Sequence, residues 1–367
     1  MARSSINIKK RYAVAKTQHE DSQLMWVPQR KFAVFALIVI VVAVLDVDRA
    51  GAVEYELRPD GGEIFGKIER VRTRYQDTLI ELARRYSLGY EELARVNKGV
   101  DPWLPGEGTQ VVVPGQRLLP PSAREGIVVN LPEHRMYFFP PAKKDEPAKV
   151  MTFPVSVGKM DWRTPIGVTK VVSKQKDPSW YPPESVLKEH AARGDPLPKV
   201  VAPGPNNPLG AHALRLNIPG GSYLIHGTNN PDAVGMAVTH GCLRMYPEDV
   251  AVLFDAVKVG TKVQLINEPL KMTRVDGEIW IEVHPPIDEQ GQLAQVKLTD
   301  FEQRLHTLLG ETEVAINWDI AIDTLREATG MPVMIGLELT PQSSRVVTAP
   351  PASDSGGVGR VRPIPRI

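Results

Sequence analysis

From Gly126 to Ile266 the chain is written in short β-branched and aromatic runs, separated by breaks that no long helix could cross. GIVVNL (126–131), RMYFFP (135–140), Lys149–Gly158, Gly167–Ser173, Tyr223–His226, Ala237–Thr239 and Lys262–Ile266 each read as a strand. Short apolar runs bounded by turn residues are the pattern of buried strands. Pro132-Glu133 marks a hairpin-like break, and Arg163-Thr164-Pro165 lies between two strands. Tyr246–Phe254 reads instead as a helix start, with Pro247 in its first turn and Glu248 and Asp249 near its positive end. With 33 prolines and 29 glycines, loops and turns should be many. The expectation is a mainly β domain from Gly126 onward.

The full length of 367 residues suggests two or three domains. Lys plus Arg is 44 and Asp plus Glu is 43, a balance that removes the simplest case for nucleic-acid binding. Residues 1–31 are basic, FAVFALIVIVVAVL (32–45) is uncharged, and Ala50-Gly51-Ala52 follows in an A-x-A pattern. That is the layout of a secretory signal over 1–52, and the apolar run is short of the ~20 residues of a membrane span. A short membrane anchor stays open as the alternative. Met25 begins a more typical signal, MWVPQRKF, and is a candidate initiator. Removal of 1–52 takes eight basic and four acidic residues with it, moving the net charge from +1 to −3.

Residues 69–114 predict an extended segment near Val71, a helix over 78–86 capped by Asp77, a second helix over Tyr90–Val96 and a strand at Gln110–Val113. The order strand–helix–helix–strand resembles a LysM peptidoglycan-binding module, through Gln76-Asp77-Thr78-Leu79, Ala83-Arg84-Arg85-Tyr86, Glu92-Leu93, Asn97 and Val112-Val113-Pro114. A LysM-like module is expected over 53–115, with a linker following; a plain structural α+β spacer is the other reading. Residues 174–212 are polar and rich in Pro and Gly, too long for an ordinary connection, and read as a lid or binding loop. Beyond Ile266, WIEVHPP, a helix over Leu298–Leu309, another over Ile320–Thr329 and a strand at Val333–Leu339 predict a small α+β segment over 268–340. The tail 341–367 is expected to be disordered.

Cys242 is the only cysteine, so no internal disulfide can form. In an exported chain a leftover cysteine points to intermolecular pairing or a reactive thiol. It lies in THGCLRM (239–245), sixteen residues after His226, which follows the apolar strand Tyr223-Leu224-Ile225. A thiol attacks as thiolate, so it needs a neighbouring base. If the two strand ends are neighbours in a sheet, His226 and Cys242 come within hydrogen-bond reach, about 3 Å. Gly241 permits close backbone approach to a ligand, the Gly241 and Cys242 amides can face an oxyanion, and Arg244 suits a substrate carboxylate. Thr239, Trp180 and Tyr181 complete the candidate substrate-binding residues. A buried core cysteine and a zinc site from His212, His226, His240 and Cys242 are the competing readings. His134, His190, His284 and His306 read as surface or loop histidines.

TPIG (164–167), HGT (226–228) and THGCLRM (239–245) together resemble the L,D-transpeptidase (YkuD) catalytic domain over 126–267. The order of signal, LysM-like module, catalytic domain and EVHPP segment resembles the periplasmic ErfK/YbiS-like branch. The resemblance implies a β-sandwich-like fold, Cys242 as nucleophile, His226 as general base, the Gly227 carbonyl orienting His226, and His240 as active-site support. It implies cleavage of the diaminopimelate–D-alanine bond of a peptidoglycan stem through a thioester. The acceptor would be another diaminopimelate, a lipoprotein lysine, or water, which would make a carboxypeptidase. Carbapenem acylation of the thiol is also implied, and no metal or organic cofactor is called for. A catalytically inert wall-binding protein is the rival class.

Overall fold

The structure, a computed structural model, describes residues 53–58, 63–159, 164–219, 222–286 and 294–339. The signal-like segment 1–52, Arg163 and the tail from 341 lie outside the described residues. No helix among the described residues is long and apolar enough to cross a membrane.

The N-terminal part runs β1 (Val53–Glu56), β2 (Ile64–Phe65), β3 (Ile68–Arg72), α1 (Leu79–Arg85), α2 (Tyr90–Val96), β4 (Gln110–Pro114) and β5 (Arg117–Leu118). β3 and β4 pair antiparallel, and the two helices pack on them around Leu79, Leu82, Leu93, Val111 and Val113. The helix cap differs from expectation. Thr78, not Asp77, caps α1, in a reciprocal box with Glu81. Asp77 instead accepts from the Arg74 amide at 2.7 Å and from Arg85 at 3.0 Å, which closes the turn before the helix.

The central part comprises β6 (Gly126–Asn130), β7 (Arg135–Phe139), β8 (Lys149–Pro154), β9 (Val157–Gly158), β10 (Gly167–Lys176), α3 (Glu184–Ala192), β11 (His212–Leu216), β12 (Leu224–His226), β13 (Ala237–Thr239), β14 (Leu243–Arg244), α4 (Pro247–Ala256) and β15 (Lys262–Ile266). Nine strands form one sheet in the order β1-β8-β7-β6-β15-β10-β11-β12-β14, and β9 and β13 make a separate parallel pair. β10 joins the halves. Its first residues, Gly167–Lys170, pair with β15, and its later ones pair with β11 after an irregularity between Val171 and Ser173. A strand that changes partner at a bulge turns the corner of a folded sheet. Ile127, Val129 and Phe153 of one half share a core with Leu214, Ile225 and Leu243 of the other and with Leu253 of α4. The sandwich-like expectation is therefore met by one mainly β sheet folded on itself.

The C-terminal part contains β16 (Leu270–Val275), β17 (Glu278–Val283), α5 (Leu298–Leu309), β18 (Val314–Ile316), α6 (Trp318–Glu327) and β19 (Val333–Glu338). The four strands form a sheet in the order β16-β17-β19-β18, with Phe301 and Leu325 of the helices in its own core. All the described residues fall within one compact unit, and buried charges join its parts. Lys271 is fully buried, 2.5 Å from Glu282 and 3.0 Å from Glu133, with the Leu118 carbonyl at 2.7 Å. Burial pushes the Glu133 carboxyl up, but the Lys271 ammonium, His284, the Tyr137 hydrogen bond and Arg117 together outweigh it and hold the group at about 2. Glu92 of α2 is paired with both Arg117 and Arg135. Two of the supposed surface histidines belong to this interior. His134 is buried, with its Nδ1 3.0 Å from the Gly235 carbonyl, and His284 is buried, with its Nε2 2.6 Å from Glu282. Each is brought inside by packing between parts that single-chain patterning does not display.

Candidate active site

β12 and β14 are parallel neighbours, with Ile225 opposite Leu243 and His226 opposite Arg244. Ile225 and Leu243 are core residues, so His226 and Arg244 share the other face. The ladder is held on both sides: the Met245 amide donates to the His226 carbonyl at 2.9 Å, and Arg244 and Ser156 exchange bonds at 2.8 and 3.1 Å. Behind this face α4 packs against the turn, its Val250 lying 3.1 Å from where a Cβ on Gly227 would stand.

His226 is buried, and its Nδ1 lies 2.6 Å from the Gly227 carbonyl. A carbonyl only accepts, so Nδ1 carries the proton and the lone pair of the neutral ring is on Nε2. Burial, reinforced by the Arg244 charge, lowers the imidazole to about 4. The ring is therefore neutral at ordinary pH, a base with its proton-accepting nitrogen fixed.

Cys242 is a free, half-buried cysteine just before β14. Burial pushes its thiol up, while the Leu224 backbone and the Arg244 charge pull it down. Its Sγ donates to the Ser222 carbonyl at 3.4 Å and makes no hydrogen bond to His226. The expected hydrogen bond is not formed in this structure, and the two residues are offset along the strands. With His226 level with Arg244, Cys242 falls level with Leu224, two residues and about 6–7 Å back along the strand. The resting pair is a neutral thiol beside a neutral imidazole.

The turn that presents the thiol is closed by hydroxyls. Gly241 has φ +97°, a conformation that favours glycine. Its carbonyl accepts from Thr164 Oγ1 at 3.0 Å, and Thr164 in turn accepts from the Gly158 amide at 3.1 Å. Thr239 is buried and donates to the Cys242 carbonyl at 2.6 Å. Its hydroxyl is thus used within the turn that precedes β14. Arg244 has no ion-pair partner among the described residues, and its Nε is buried without a hydrogen bond.

The segment 174–212 is not a structureless loop. β10 runs through Lys176, α3 occupies 184–192, and β11 begins at His212. Trp180 and Val201 form a two-way backbone bridge at 2.9 Å, and Asn207 Nδ2 ties the segment to the Pro178 carbonyl at 2.7 Å. Trp180 is half-buried in that bridge and Tyr181 is exposed. From α3, Glu189 reaches His240 Nε2 at 2.8 Å. Neither Glu189 nor Thr164 was among the residues expected at the site; Thr164 stood in the TPIG run, but nothing in the pattern around Glu189 pointed to it.

The zinc reading does not assemble. His212 packs its ring on Phe254, His226 is turned to Gly227, and His240 to Glu189. Among the described residues the converging group of metal-type ligands is Glu133, Glu282 and His284, where the Lys271 ammonium binds both carboxylates.

A model of the L,D-transpeptidase catalytic domain, YkuD, matches residues 124–265. The probable L,D-transpeptidase ErfK/SrfK of Escherichia coli (strain K12) is 37% identical over 294 residues, covering 77% of this chain and 91% of that protein. The chain belongs to the L,D-transpeptidase family. Its similarity to the probable L,D-transpeptidase YbiS of the same strain is 36% over 296 residues, covering 78% of this chain and 93% of that one. The catalytic domain of the Enterococcus faecium L,D-transpeptidase, solved by NMR, is 22% identical and covers 39% of this chain and 96% of its own, with a TM-score of 0.28. The family is one of transferases, and this member carries its matched region between an N-terminal βααβ part and a C-terminal α+β part.

Proposed function

We propose that the protein is a cysteine-dependent L,D-transpeptidase of the cell envelope. Its donor would be a peptidoglycan tetrapeptide stem, cut between diaminopimelate and the terminal D-alanine. The observation that carries this is the His226 ring fixed through Nδ1 to the Gly227 carbonyl, on the strand beside the one that Cys242 precedes. Cys242 Sγ attacks the carbonyl as its proton passes to His226 Nε2. The C–N bond breaks, D-alanine leaves with that proton on its amine, and a thioester remains. An acceptor amine then attacks the thioester, giving up a proton to His226 and restoring the thiol. Approach of the thiol to His226 requires the Cys242 side chain to leave the Ser222 carbonyl. Catalytic hydrogen bonds often tighten only when substrate is bound.

Two further features support the reading. Arg244 is a partly buried guanidinium without an ion pair among the described residues, placed to hold a stem carboxylate through its planar fork. Gly241 and Cys242, at the positive-φ turn, present amides suited to the oxyanion. Tyr75, Trp103 and Leu104 are exposed on the loops of the βααβ part, as a LysM-like glycan platform would be. Export by residues 1–52 would place the enzyme in the periplasm.

Purified protein incubated with a disaccharide-tetrapeptide and watched by mass decides the matter. D-alanine release with a thioester adduct on Cys242 is expected, lost in Cys242→Ala. Dimer, lipoprotein conjugate or free tripeptide identifies the acceptor. Absence of both release and adduct in the parent would leave the protein an inert wall-binding member of the family.

A further inference from the structure

Of the residues of α3 only Val186 is buried, the others being half-buried or exposed. Little apolar packing therefore holds it to the domain. Its charged contact is Glu189. One carboxylate accepts from His240 Nε2 at 2.8 Å and Lys159 Nζ at 3.2 Å, and also pairs with Arg193 one turn on. Lys159 and His240 stand at the ends of β9 and β13, which pair in parallel, and the Lys159 amide donates to the Thr239 carbonyl at 2.9 Å. Glu189 thus clips together the two strand ends that feed the turn carrying Cys242.

We propose that Glu189 is a positioning residue for the transpeptidase reaction, fixing the His240 ring beside the nucleophile and pinning segment 177–211 against the site. The proposal rests on the transpeptidase reading above. A carboxylate accepts only, so His240 Nε2 carries a proton and the ring is held by it. The rest of the segment is tied to itself through the Trp180–Val201 bridge and the Asn207 amide, and to the loop after His226 through Asn229, so it would shift as a unit. The His240 hydrogen bond first, and the Lys159 contact second, hold the Glu189 carboxyl at about 2, so it stays charged throughout the working range. Closure of the segment and alignment of the thiol-bearing turn are then one event.

The test is a double-mutant cycle on full-length protein with the tetrapeptide donor, reading kcat and KM for the parent, Glu189→Ala, Glu189→Gln, His240→Ala and the Glu189→Ala/His240→Ala pair. A misplaced catalytic turn costs up to about 100-fold, so Glu189→Ala should lower kcat ~10–100-fold, more than it changes KM. Glu189→Gln should lie between it and the parent, and the pair should be no worse than His240→Ala alone. In parallel, trypsin cleavage after Lys188 and Arg193 should be several-fold faster in Glu189→Ala than in the parent. Unchanged kcat, losses that multiply in the pair, or equal trypsin rates would each overturn the proposal. A parent that neither releases D-alanine nor forms the adduct would overturn the enzymatic reading instead, and the trypsin comparison would still decide whether Glu189 pins the segment.

Discussion

Arg244 lies directly opposite His226 across the parallel pair β12–β14, and its charge helps hold the buried imidazole at about 4. A base must be unprotonated to act, so kcat/KM should fall on acidification with a limb near pH 4, well below the ordinary histidine range. Arg244→Gln removes the charge, and its limb should move upward. Arg244→Lys keeps the charge and loses the planar fork, so it should hold the limb near that of the parent while donor KM rises. A limb that stays put in Arg244→Gln would separate the two residues electrostatically.

The depressed histidine also acts on stability. The unfolded ring binds a proton near pH 6.5 and the folded one only near pH 4, so stability is complete above the first value and is lost as pH falls towards the second. His226→Ala should flatten that dependence in thermal melts. The same variant should lose ~10²–10⁴ in turnover, the usual worth of a general base. Full activity in His226→Ala, with loss in His240→Ala, would transfer the role of base to His240.

Asp249, in the first turn of α4, is buried with neither carboxylate oxygen hydrogen-bonded, and burial raises it to about 7. A folded pKa above the unfolded value means that ionisation destabilises the fold. The cost begins above about pH 3.8 and is complete above about pH 7. Asp249→Asn should raise the melting temperature at pH 8 and leave it nearly unchanged at pH 4. Equal shifts at both would mean that charge is not the cause.

Gly235 and Gly89 stand backbone to backbone where the N-terminal part meets the segment between HGT and THGC. A Cβ on Gly235 would lie 2.2 Å from Gly89 Cα, and its φ is +85°. Gly235→Ala combines a strained backbone with overpacking and should cost ~2–5 kcal/mol in denaturant unfolding. Gly260 has φ +93° and open space around it, so Gly260→Ala should cost about 1 kcal/mol. Similar losses at both would show that the contact with Gly89 yields.

Lys271→Met should be among the most destabilising single changes, by about 3–5 kcal/mol, because it leaves Glu133 and Glu282 buried without their cation. Adding Glu133→Gln to it should recover part of the loss, measured by thermal melts of the single and double variants.

Much of this architecture was legible in the sequence. The runs that carry β6, β7, β13, β15, α2 and α5 show their periodicity locally, and the structure places those elements within a residue of the reading. Beyond Ile266 the run WIEVHPP overlaps β17 only from Trp280, and its partner β16 shows no clean alternation, because LKMTRV carries Lys271 and Arg274 on opposite faces and Lys271 is buried. The site was legible as a set of residue types, since Cys242, His226 and Gly227 lie in short motifs. Its register was not, because a two-residue offset between neighbouring strands leaves no trace in either strand alone. Glu189 was invisible for a different reason: it lies 51 residues from His240 in a polar stretch, and only the folding of 177–211 brings the two together.

The buried junction around Lys271 also sets an order on the making of the protein. Glu92, Arg117, Glu133 and Arg135 emerge early, whereas Lys271, Glu282 and His284 are synthesised only after the whole matched region, 124–265, has been completed. Until they arrive, Glu133 and Tyr137 lack the Lys271 ammonium that contacts both of them. A chain cut at 267 is therefore not an isolated catalytic domain but an unfinished one. The strands that follow the matched region are thus part of the same folding unit, and a truncation that removes them leaves the Glu133 carboxylate buried without its ammonium.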